Sequence, residues 1–290
     1  MREIMITEQI AGQRLDKFLA RYFGAATRVF IHKMLRKKNI VVNGKRADGS
    51  LILNAGDVVT LYLADETITK FTKVKTAHDG PLDIIFEDTD IIIVNKPANL
   101  LTQPDKVDAD SVTGRLRYMY ANADFAPVAI NRLDRNTTGI VLCAKNLAVA
   151  QKMSRLVHDR QIEKNYIAMV HGEIADEMRL EGVHVKDADK NLAKIVPRGT
   201  ISGREVVTKV VPMKYDTSAD VTVVKIGLET GRSHQIRAHL AGIGHPLVGD
   251  AKYGGHGATR QMLHAREIAL DGRRFEAQLP EDMKRYNLDI

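Results

Sequence analysis

The sequence predicts an α+β protein, in which a large domain with a mixed, mostly antiparallel sheet follows a smaller α+β module. Beyond residue 80, short β-branched runs outnumber amphipathic helices and do not alternate with them as βαβ units do. Before residue 66, two helical patterns precede short strand patterns. The chain has 290 residues, 44% of them hydrophobic, which is enough for a mid-sized core beside a small one.

The first module begins with two amphipathic helices. Apolar residues recur at helical spacing over 14–23 and again over 28–38. From 39 to 63, β-branched runs alternate with Asn-Gly, Asp-Gly and Ala-Gly turn signals, which is typical of short strands. We therefore assign residues 1–65 to one compact unit.

A linker is expected between the two domains. Residues 66–80 show no clear period and end at a Gly-Pro step, which indicates a tether of about 15 residues. The second domain then covers residues 81–290.

Strands dominate the second domain. Residues 84–88 and 90–97 are predicted to form a hairpin, because two β-branched runs flank an acidic turn. The apolar run 140–145 predicts a fully buried strand, and two further strands are expected at 166–172 and 221–229. This order favours antiparallel pairing over a doubly wound fold.

Three helices are expected among these strands. Ser111 can cap a helix over 111–121, and Asn146 can cap the helix over 146–160, because both side chains can accept a hydrogen bond from a free helix N–H. A third helix is predicted over 233–241, ending near a glycine.

Positive charge is concentrated in the first module. Residues 1–65 carry a net charge of +5, and the much longer remainder carries +2. Between Arg28 and Arg46 there are seven basic residues and no acidic one. Such a patch attracts nucleic acids, because each neutralised phosphate releases condensed counterions. A solvated helix face with loop lysines is the plainer interpretation of the same pattern.

Composition excludes several classes of protein. The single cysteine, Cys143, rules out an internal disulfide framework and a thiolate zinc cluster. The N-terminal residues lack the apolar core of a signal peptide, and no apolar run reaches the roughly 18 residues of a membrane span. We therefore expect a soluble, cytoplasmic protein.

Common catalytic motifs are missing. The sequence has no G-x-S-x-G elbow, no P-loop and no G-x-G-x-x-G that opens a helix after a strand. His234 and His239 stand five residues apart with no acidic residue between them, so they do not form the H-E-x-x-H zinc pattern. Hydrolase, NTPase and dehydrogenase chemistry therefore lack a site, and no metal is expected.

The densest polar cluster is residues 131–139, just before the predicted buried strand. Asp134 lies between Arg132 and Arg135, so an ionised carboxylate could be oriented there by neighbouring charge. A turn-stabilising aspartate among surface arginines would show the same spacing. A second cluster, 228–240, places His234 and Arg237 on one helix face if Ser233 caps the helix.

Taken together, these clusters resemble the signature of RluA-type pseudouridine synthases. Residue 131, usually histidine in that family, is asparagine here, while Asn99 and Gln103 replace a common glycine and histidine. The resemblance rests on six ordered segments: IIIVNKPANLLTQP at 91–104, NRLDRNTTG at 131–139, EKNYIAMVHG at 163–172, LETGRSHQIRAHL at 228–240, GHPLVGDAKYG at 244–254 and LHAREI at 263–268.

The resemblance implies the pseudouridine synthase fold and an isomerase that needs no cofactor and no metal. Asp134 matches the family's catalytic aspartate, which either attacks the ribose or abstracts a sugar proton. Arg237 matches the arginine that pairs with it, and Tyr166 the tyrosine that packs on the target base. Arg132 matches an arginine that enters the RNA stack. His234, Gln235 and His264 are expected to be supporting or structural.

The first module resembles an S-four RNA-binding domain, named after a ribosomal protein, over about fifty residues. Its second helix and following loop would then contact RNA. The contacts implied are Arg28, Lys33, Arg36, Lys37, Lys38 and Lys45.

Large-subunit ribosomal RNA is the substrate that the appended module favours, and transfer RNA stays an alternative. We expect a monomer. A non-catalytic RNA-binding or ribosome-assembly factor on the same fold is the main competing hypothesis, and it would be expected to lack the aspartate, arginine or tyrosine. An enzyme acting on a small nucleoside would have no use for the basic module.

Overall fold

A computed structural model describes residues 1–72, 78–105, 110–121, 123, 125–187, 192–200 and 203–284. In chain order the elements are β1 (Arg2–Met5), α1 (Leu15–Tyr22), α2 (Arg28–Arg36), β2 (Ile40–Val42), β3 (Lys45–Arg46), β4 (Val58–Leu61), α3 (Asp65–Thr72), β5 (Asp83–Glu87), β6 (Ile91–Lys96), α4 (Val112–Met119), β7 (Val128–Ala129), β8 (Thr138–Ala144), α5 (Leu147–His158), β9 (Glu163–His171), β10 (Met178–Asp187), β11 (Leu192–Val196), β12 (Arg204–Asp216), β13 (Val221–Leu228), α6 (Gln235–Gly242), a 3₁₀ turn (Ala251–Tyr253), β14 (Leu263–Leu270), β15 (Arg273–Glu276) and α7 (Glu281–Lys284).

The N-terminal unit packs two helices on a four-stranded antiparallel sheet of order β1-β4-β2-β3. Leu15 and Leu19 of α1, with Ile31 and Leu35 of α2, form the helical half of its core. The Thr27 hydroxyl accepts a hydrogen bond from the Phe30 N–H and so caps α2.

The prediction of a tether over 66–80 is wrong for its first part. Helix α3 covers residues 65–72 and buries Ile68 in the core of the N-terminal unit. The Phe71 ring lies 4.4 Å from the ring of Phe30. The helical pattern was hidden because α3 has only these two large apolar residues. Residues 73–77 of the predicted tether lie outside the described residues.

The N-terminal unit is also joined to the second domain by direct contacts. Phe125 is buried in the same core cluster as α1 and α2, and the guanidinium of Arg21 lies 5.2 Å from its ring centroid. The Leu147 N–H, at the start of α5, donates to the Gln9 carbonyl at 3.2 Å.

The second domain is built on one long sheet of order β11-β10-β12-β13-β9-β14-β8-β6-β5, with β7 and β15 added at its side. Among the described strands the pairing of β14 with β8 is parallel, and the other ladders are antiparallel. The mixed, mostly antiparallel sheet is therefore confirmed. Helices α4 and α6 pack on one face, and α5 covers part of the other.

Strand β8 lies between β14 and β6 and is buried along its whole length, as predicted. The two predicted caps are present, since Ser111 Oγ accepts the Gly114 N–H and Asn146 Oδ1 accepts the Val149 N–H. Gly139 has a φ of +103°, and a Cβ there would lie 2.2 Å from the Ala265 carbonyl oxygen. Only glycine fits where β8 meets β14.

Two substitutions relative to the family pattern have a clear structural basis. Asn99 has a φ of +63°, a left-handed conformation that asparagine tolerates where glycine is otherwise common. The Asn131 side chain donates to the Ile140 carbonyl and accepts from the Leu142 N–H, so it fixes the chain ahead of Asp134 against β8.

We expect the protein to lose stability as the pH falls from about 6.5 to about 4. Burial lowers the pKa of the fully buried His264 to about 4, and its Nδ1 lies 2.9 Å from the Thr138 hydroxyl. In that window the unfolded chain binds a proton that the folded imidazole does not, so acidification favours unfolding. Denaturant titration of wild type and His264→Gln should show a shallower acid decline in the variant. Equal declines would contradict this assignment.

Candidate active site

Asp134 lies on the loop that connects β7 to β8, with its side chain 26% exposed. The Thr102 hydroxyl holds this loop, since it accepts from the Leu133 N–H and donates to the Leu133 carbonyl, both at 3.0 Å. The carboxylate is therefore fixed by its backbone and still open to solvent on one side.

Arg237 joins Asp134 to a second carboxylate. Its Nη1 donates to Asp134 Oδ2 at 2.9 Å, while Nε and Nη2 donate to the two oxygens of Asp250 at 2.6 and 2.7 Å. The side chain of Asp250 is only 1% exposed. Burial alone would lower the pKa of Arg237, but Asp250 and Asp134 outweigh it and raise that pKa. A buried, permanently charged guanidinium thus faces the catalytic candidate.

Tyr253 lies against Arg237 and connects the 3₁₀ turn with β11 and with the N-terminal part of α6. Its ring centroid is 5.0 Å from the guanidinium carbon of Arg237. Its hydroxyl accepts the Ala193 N–H at 2.7 Å and lies 3.1 Å from Nδ1 of His234. Because a backbone N–H already fills one acceptor position, the hydroxyl can donate its proton to His234.

This contact favours one tautomer of His234. With Nδ1 accepting, the neutral ring carries its proton on Nε2, which lies 3.7 Å from Asp134 Oδ2. Burial lowers the pKa of His234 against the opposing charge of Asp134, which favours the neutral ring. Asp134 therefore faces an N–H of His234 as well as the guanidinium of Arg237.

Tyr166 approaches Asp134 from β9. The side chain is buried in the main core cluster, and β9 places Tyr166 opposite Ala265 of β14, which in turn lies opposite Gly139 of β8. Burial, and then the charge of Asp134, raise the pKa of the Tyr166 hydroxyl far above neutrality. Its hydroxyl therefore stays protonated at neutral pH.

Three further residues lie near Asp134 that were not predicted as site residues, although all three belong to the quoted segments 91–104 and 244–254. They are Lys96, Asp250 and Tyr253. Lys96 is fully buried, and its ammonium donates to the carbonyls of Pro97, Leu100 and Arg135. Burial lowers its pKa to about 7, although the charge of Asp134 opposes this. The signal available in the sequence was a lysine at the end of an apolar strand pattern. A lysine that such a strand buries needs hydrogen-bond partners for its charge.

The second cluster differs from its prediction at the start of α6. Ser233 is not the cap: His234 takes that position with a φ of +57° and no side-chain cap bond. The side chain of Gln235 folds back instead, accepting from the Arg232 N–H and donating to the Val207 carbonyl. These two hydrogen bonds of Gln235 attach the loop before α6 to β12.

The residues predicted to bind RNA are all exposed, and they fall in two places. Arg132 lies two residues before Asp134 on the catalytic loop. The other six lie on α2, its C-terminal end and β3, and no hydrogen bond or ion pair joins them to the Asp134 site within the described ranges. They are Arg28, Lys33, Arg36, Lys37, Lys38 and Lys45.

We expect Tyr253→Phe to lower activity about tenfold while leaving the fold intact. The ring under Arg237 remains, but the Ala193 N–H and His234 Nδ1 lose their partner, at about 1–3 kcal/mol for an unsatisfied buried group. Nitrogen NMR of His234 should then show a mixture of tautomers. Tyr215→Phe is the control, because among the described residues its hydroxyl donates to Asp220, an exposed residue in the turn between β12 and β13. Unchanged turnover with an unchanged tautomer would refute the role.

Comparison with known proteins decides the family. The family model for RNA pseudouridylate synthase matches residues 90–242, more than half of the chain, and the S-four domain model matches residues 13–59. This chain belongs to the RNA pseudouridylate synthase family. It is therefore an isomerase of RNA uridines with an N-terminal S-four domain, as the resemblance implied.

Relatives within this family match nearly the whole chain. A ribosomal large subunit pseudouridine synthase C from Rickettsia bellii is 31% identical, with 97% of this chain and 99% of the relative covered. A ribosomal large subunit pseudouridine synthase D from Vibrio cholerae is 31% identical, with 96% and 91% covered.

Solved structures agree on the fold. The human RNA pseudouridylate synthase domain containing 4 has a TM-score of 0.60 at 21% identity, covering 72% of this chain and 94% of its own. The human domain containing 1 protein has a TM-score of 0.57 at 24% identity, covering 70% and 85%. The pseudouridine synthase fold of the second domain is thereby confirmed.

Within the described residues, every helix is too short or too polar to span a bilayer. No group of three or more histidine, cysteine or acidic side chains is arranged to hold a metal ion in the ranges that the structure covers.

Proposed function

We propose that this synthase isomerises specific uridines of large-subunit ribosomal RNA, with Asp134 as the catalytic residue and without a cofactor. The observation that carries the proposal is the Asp134–Arg237–Asp250 arrangement, in which one partly open carboxylate is aimed by a buried guanidinium. We further propose that it acts as a cytoplasmic monomer.

The chemistry needs only groups that this chain supplies. The bond from the ribose to a ring nitrogen breaks, the base turns, and a bond to a ring carbon forms; that carbon loses a proton and the nitrogen gains one. Atoms and electrons balance without an oxidant or donor. Asp134 either attacks the ribose carbon or removes the neighbouring sugar proton, and both routes need an ionised carboxylate beside the sugar.

The neighbouring groups would divide the remaining tasks. Arg237 pairs with the Asp134 carboxylate and orients it. The Tyr166 ring would pack against the target base, and its hydroxyl would assist the final proton removal. Arg132 would occupy the stack that the extruded nucleotide leaves.

Two features support ribosomal RNA as the substrate. Relatives of matching length are named ribosomal large subunit pseudouridine synthases C and D. The S-four domain adds an exposed basic surface remote from Asp134, which suits a large folded RNA. We propose that this surface supplies affinity, while the catalytic domain selects the uridine.

The double variant Lys37→Ala/Lys38→Ala should weaken RNA binding roughly tenfold at low salt and flatten its salt dependence by about two units of slope. Each lysine that neutralises a phosphate contributes about one unit. Filter binding over a range of salt concentrations measures this. Lys152→Ala is a suitable control, because that lysine is paired with Asp271 on the opposite domain. An unchanged slope would contradict the assignment of this surface.

The decisive test of the function is pseudouridine mapping of total RNA. Cells with and without the gene are compared, and the deletion strain is complemented with wild type or with Asp134→Asn. Sites in large-subunit ribosomal RNA that return only with wild type would establish the substrate and the aspartate together. Sites found only in transfer RNA would show that transfer RNA, and not ribosomal RNA, is the substrate. An unchanged map would favour a non-catalytic assembly factor.

A further inference from the structure

A second cluster of cations lies on the segments that carry Tyr166 and His234 and is used by none of the roles above. Lys164 lies on β9 two residues before Tyr166 and pairs with Ile268 of β14; the bulge in that ladder falls on β14, between Ala265 and Glu267, so β9 itself continues without an inserted residue. Alternate residues of a strand share one face, so Lys164 and Tyr166 project to the same side about 6.6 Å apart along the strand.

The ammonium of Lys164 reaches the loop that leads into α6. A Cβ on Gly231 would lie 3.8 Å from Lys164 Nζ, so the missing side chain leaves the space in front of the ammonium open. The next residue along this loop is the exposed Arg232. Arg204 is a third cation nearby, because it lies opposite His184 of β10, whose Nε2 is 2.9 Å from the carbonyl oxygen of Ser233, the residue after Arg232. Burial, and then the charge of Arg204, lower the pKa of Arg232.

Among the residues that the structure describes, these three cations have no acidic partner. Lys164 is half-buried, and burial lowers its pKa with no opposing carboxylate. No hydrogen bond or ion pair to a carboxylate is formed by Lys164, Arg232 or Arg204 anywhere in the described part of the chain. An unpaired, half-buried ammonium costs stability, which indicates that it awaits an anion.

Nearby acids are engaged elsewhere. Glu229, two residues before Gly231, accepts two hydrogen bonds from Arg179 at 3.1 and 3.0 Å. Glu205, adjacent to Arg204, pairs with Arg198 at 3.2 Å. Neither of these two carboxylates is therefore paired with the cluster formed by Lys164, Arg204 and Arg232.

We propose that Lys164 and Arg232, supported by Arg204, form a phosphate-binding subsite that holds the RNA backbone beside the target nucleotide. This rests on the proposed function, because the phosphate belongs to the RNA that presents its uridine to Asp134. A phosphodiester fits the site since it is an anion with two free oxygens, one for each approaching cation. The site would position the sugar rather than read sequence.

The test uses Lys164→Met, which keeps the length and apolar stem of the side chain and removes its charge. We expect RNA affinity to fall roughly tenfold and the salt dependence to flatten by about one unit of slope. The melting temperature should stay equal or rise, because an unpaired charge has left a half-buried position. Lys164→Arg should restore most of the binding and the slope.

Lys225→Met on the neighbouring strand is the matched control. Lys225 is exposed and faces the opposite side of the sheet from Ile226, so its loss removes one charge away from the site. Binding of a large-subunit ribosomal RNA transcript should stay unchanged. The Arg232→Gln and Lys164→Met effects should be less than additive in the double variant, because both residues hold one phosphate.

Three results would overturn the subsite. An unchanged salt slope with weaker binding would place Lys164 on a base or sugar, unchanged binding would make it structural, and additive losses would separate it from Arg232. Pseudouridine formation by the wild-type enzyme is measured in parallel. If wild type converts uridines while Lys164→Met binds normally, the subsite is wrong and the proposed function stands.

Discussion

Asp134→Asn should abolish pseudouridine formation, with turnover reduced on the order of 10⁴-fold. The amide keeps the size of the side chain, but it can neither attack the ribose carbon nor accept a sugar proton. Arg237 keeps both hydrogen bonds to Asp250, so the buried guanidinium does not lose its main partner. The variant should therefore fold normally and bind RNA with near wild-type affinity.

Single-turnover conversion of a ribosomal RNA transcript measures the loss, and equilibrium binding of the same transcript measures affinity. Asp105→Asn is a matched control, because the ion pair that Asp105 forms within the described residues is a long 3.9 Å contact with Arg135, at an exposed position near the same loop. It should retain activity. Substantial turnover by Asp134→Asn would show that another group performs the chemistry.

Asp250→Asn should damage both stability and activity, by about 3–5 kcal/mol of unfolding free energy and about 100-fold in turnover. The change leaves the buried Arg237 with Asp134, its partly exposed partner. Removing the carboxylate of a buried ion pair leaves the guanidinium charge uncompensated. Without the second carboxylate the guanidinium can turn toward solvent, and Asp134 then loses its orientation.

Denaturant unfolding and single-turnover kinetics separate the two effects. Asp271→Asn is the control, because its pair with Lys152 is exposed and such pairs contribute about 0–1 kcal/mol. The positive φ of Asp271 is equally accessible to asparagine. If Asp250→Asn were as stable and active as Asp271→Asn, the coupling of Arg237 to Asp250 would be irrelevant to the site.

Local signals in the sequence were enough for several elements. The caps at Ser111 and Asn146 and the buried run of β8 were predicted correctly, because each depends on neighbours a few residues away. Helix α3 was missed because its apolar face consists of Ile68 and Phe71, too few for a clear period. Ser233 was misassigned as a cap because His234 adopts a left-handed conformation that no local pattern announces.

The residues of the candidate site were likewise predicted only in part. The ordered motifs led to Asp134, Arg237 and Tyr166, and the structure brings these residues together. Their catalytic roles remain predictions that the variants above will test. Asp250 and Tyr253 stood within a quoted motif, yet nothing in the spacing of 244–254 showed that both would contact a guanidinium on α6.

By itself the sequence determined the family, the two-part architecture and the identity of the charged groups, because these follow from motif order, periodicity and composition. Only the tertiary structure decided which carboxylate is open and which is buried, which groups surround His234, and that Lys164 has no acidic partner among the described residues. Burial and pairing depend on strands far apart in the chain, such as β8, β9 and β14, meeting in one sheet. Charge in a protein acts over a few ångströms, and that proximity is set by the fold.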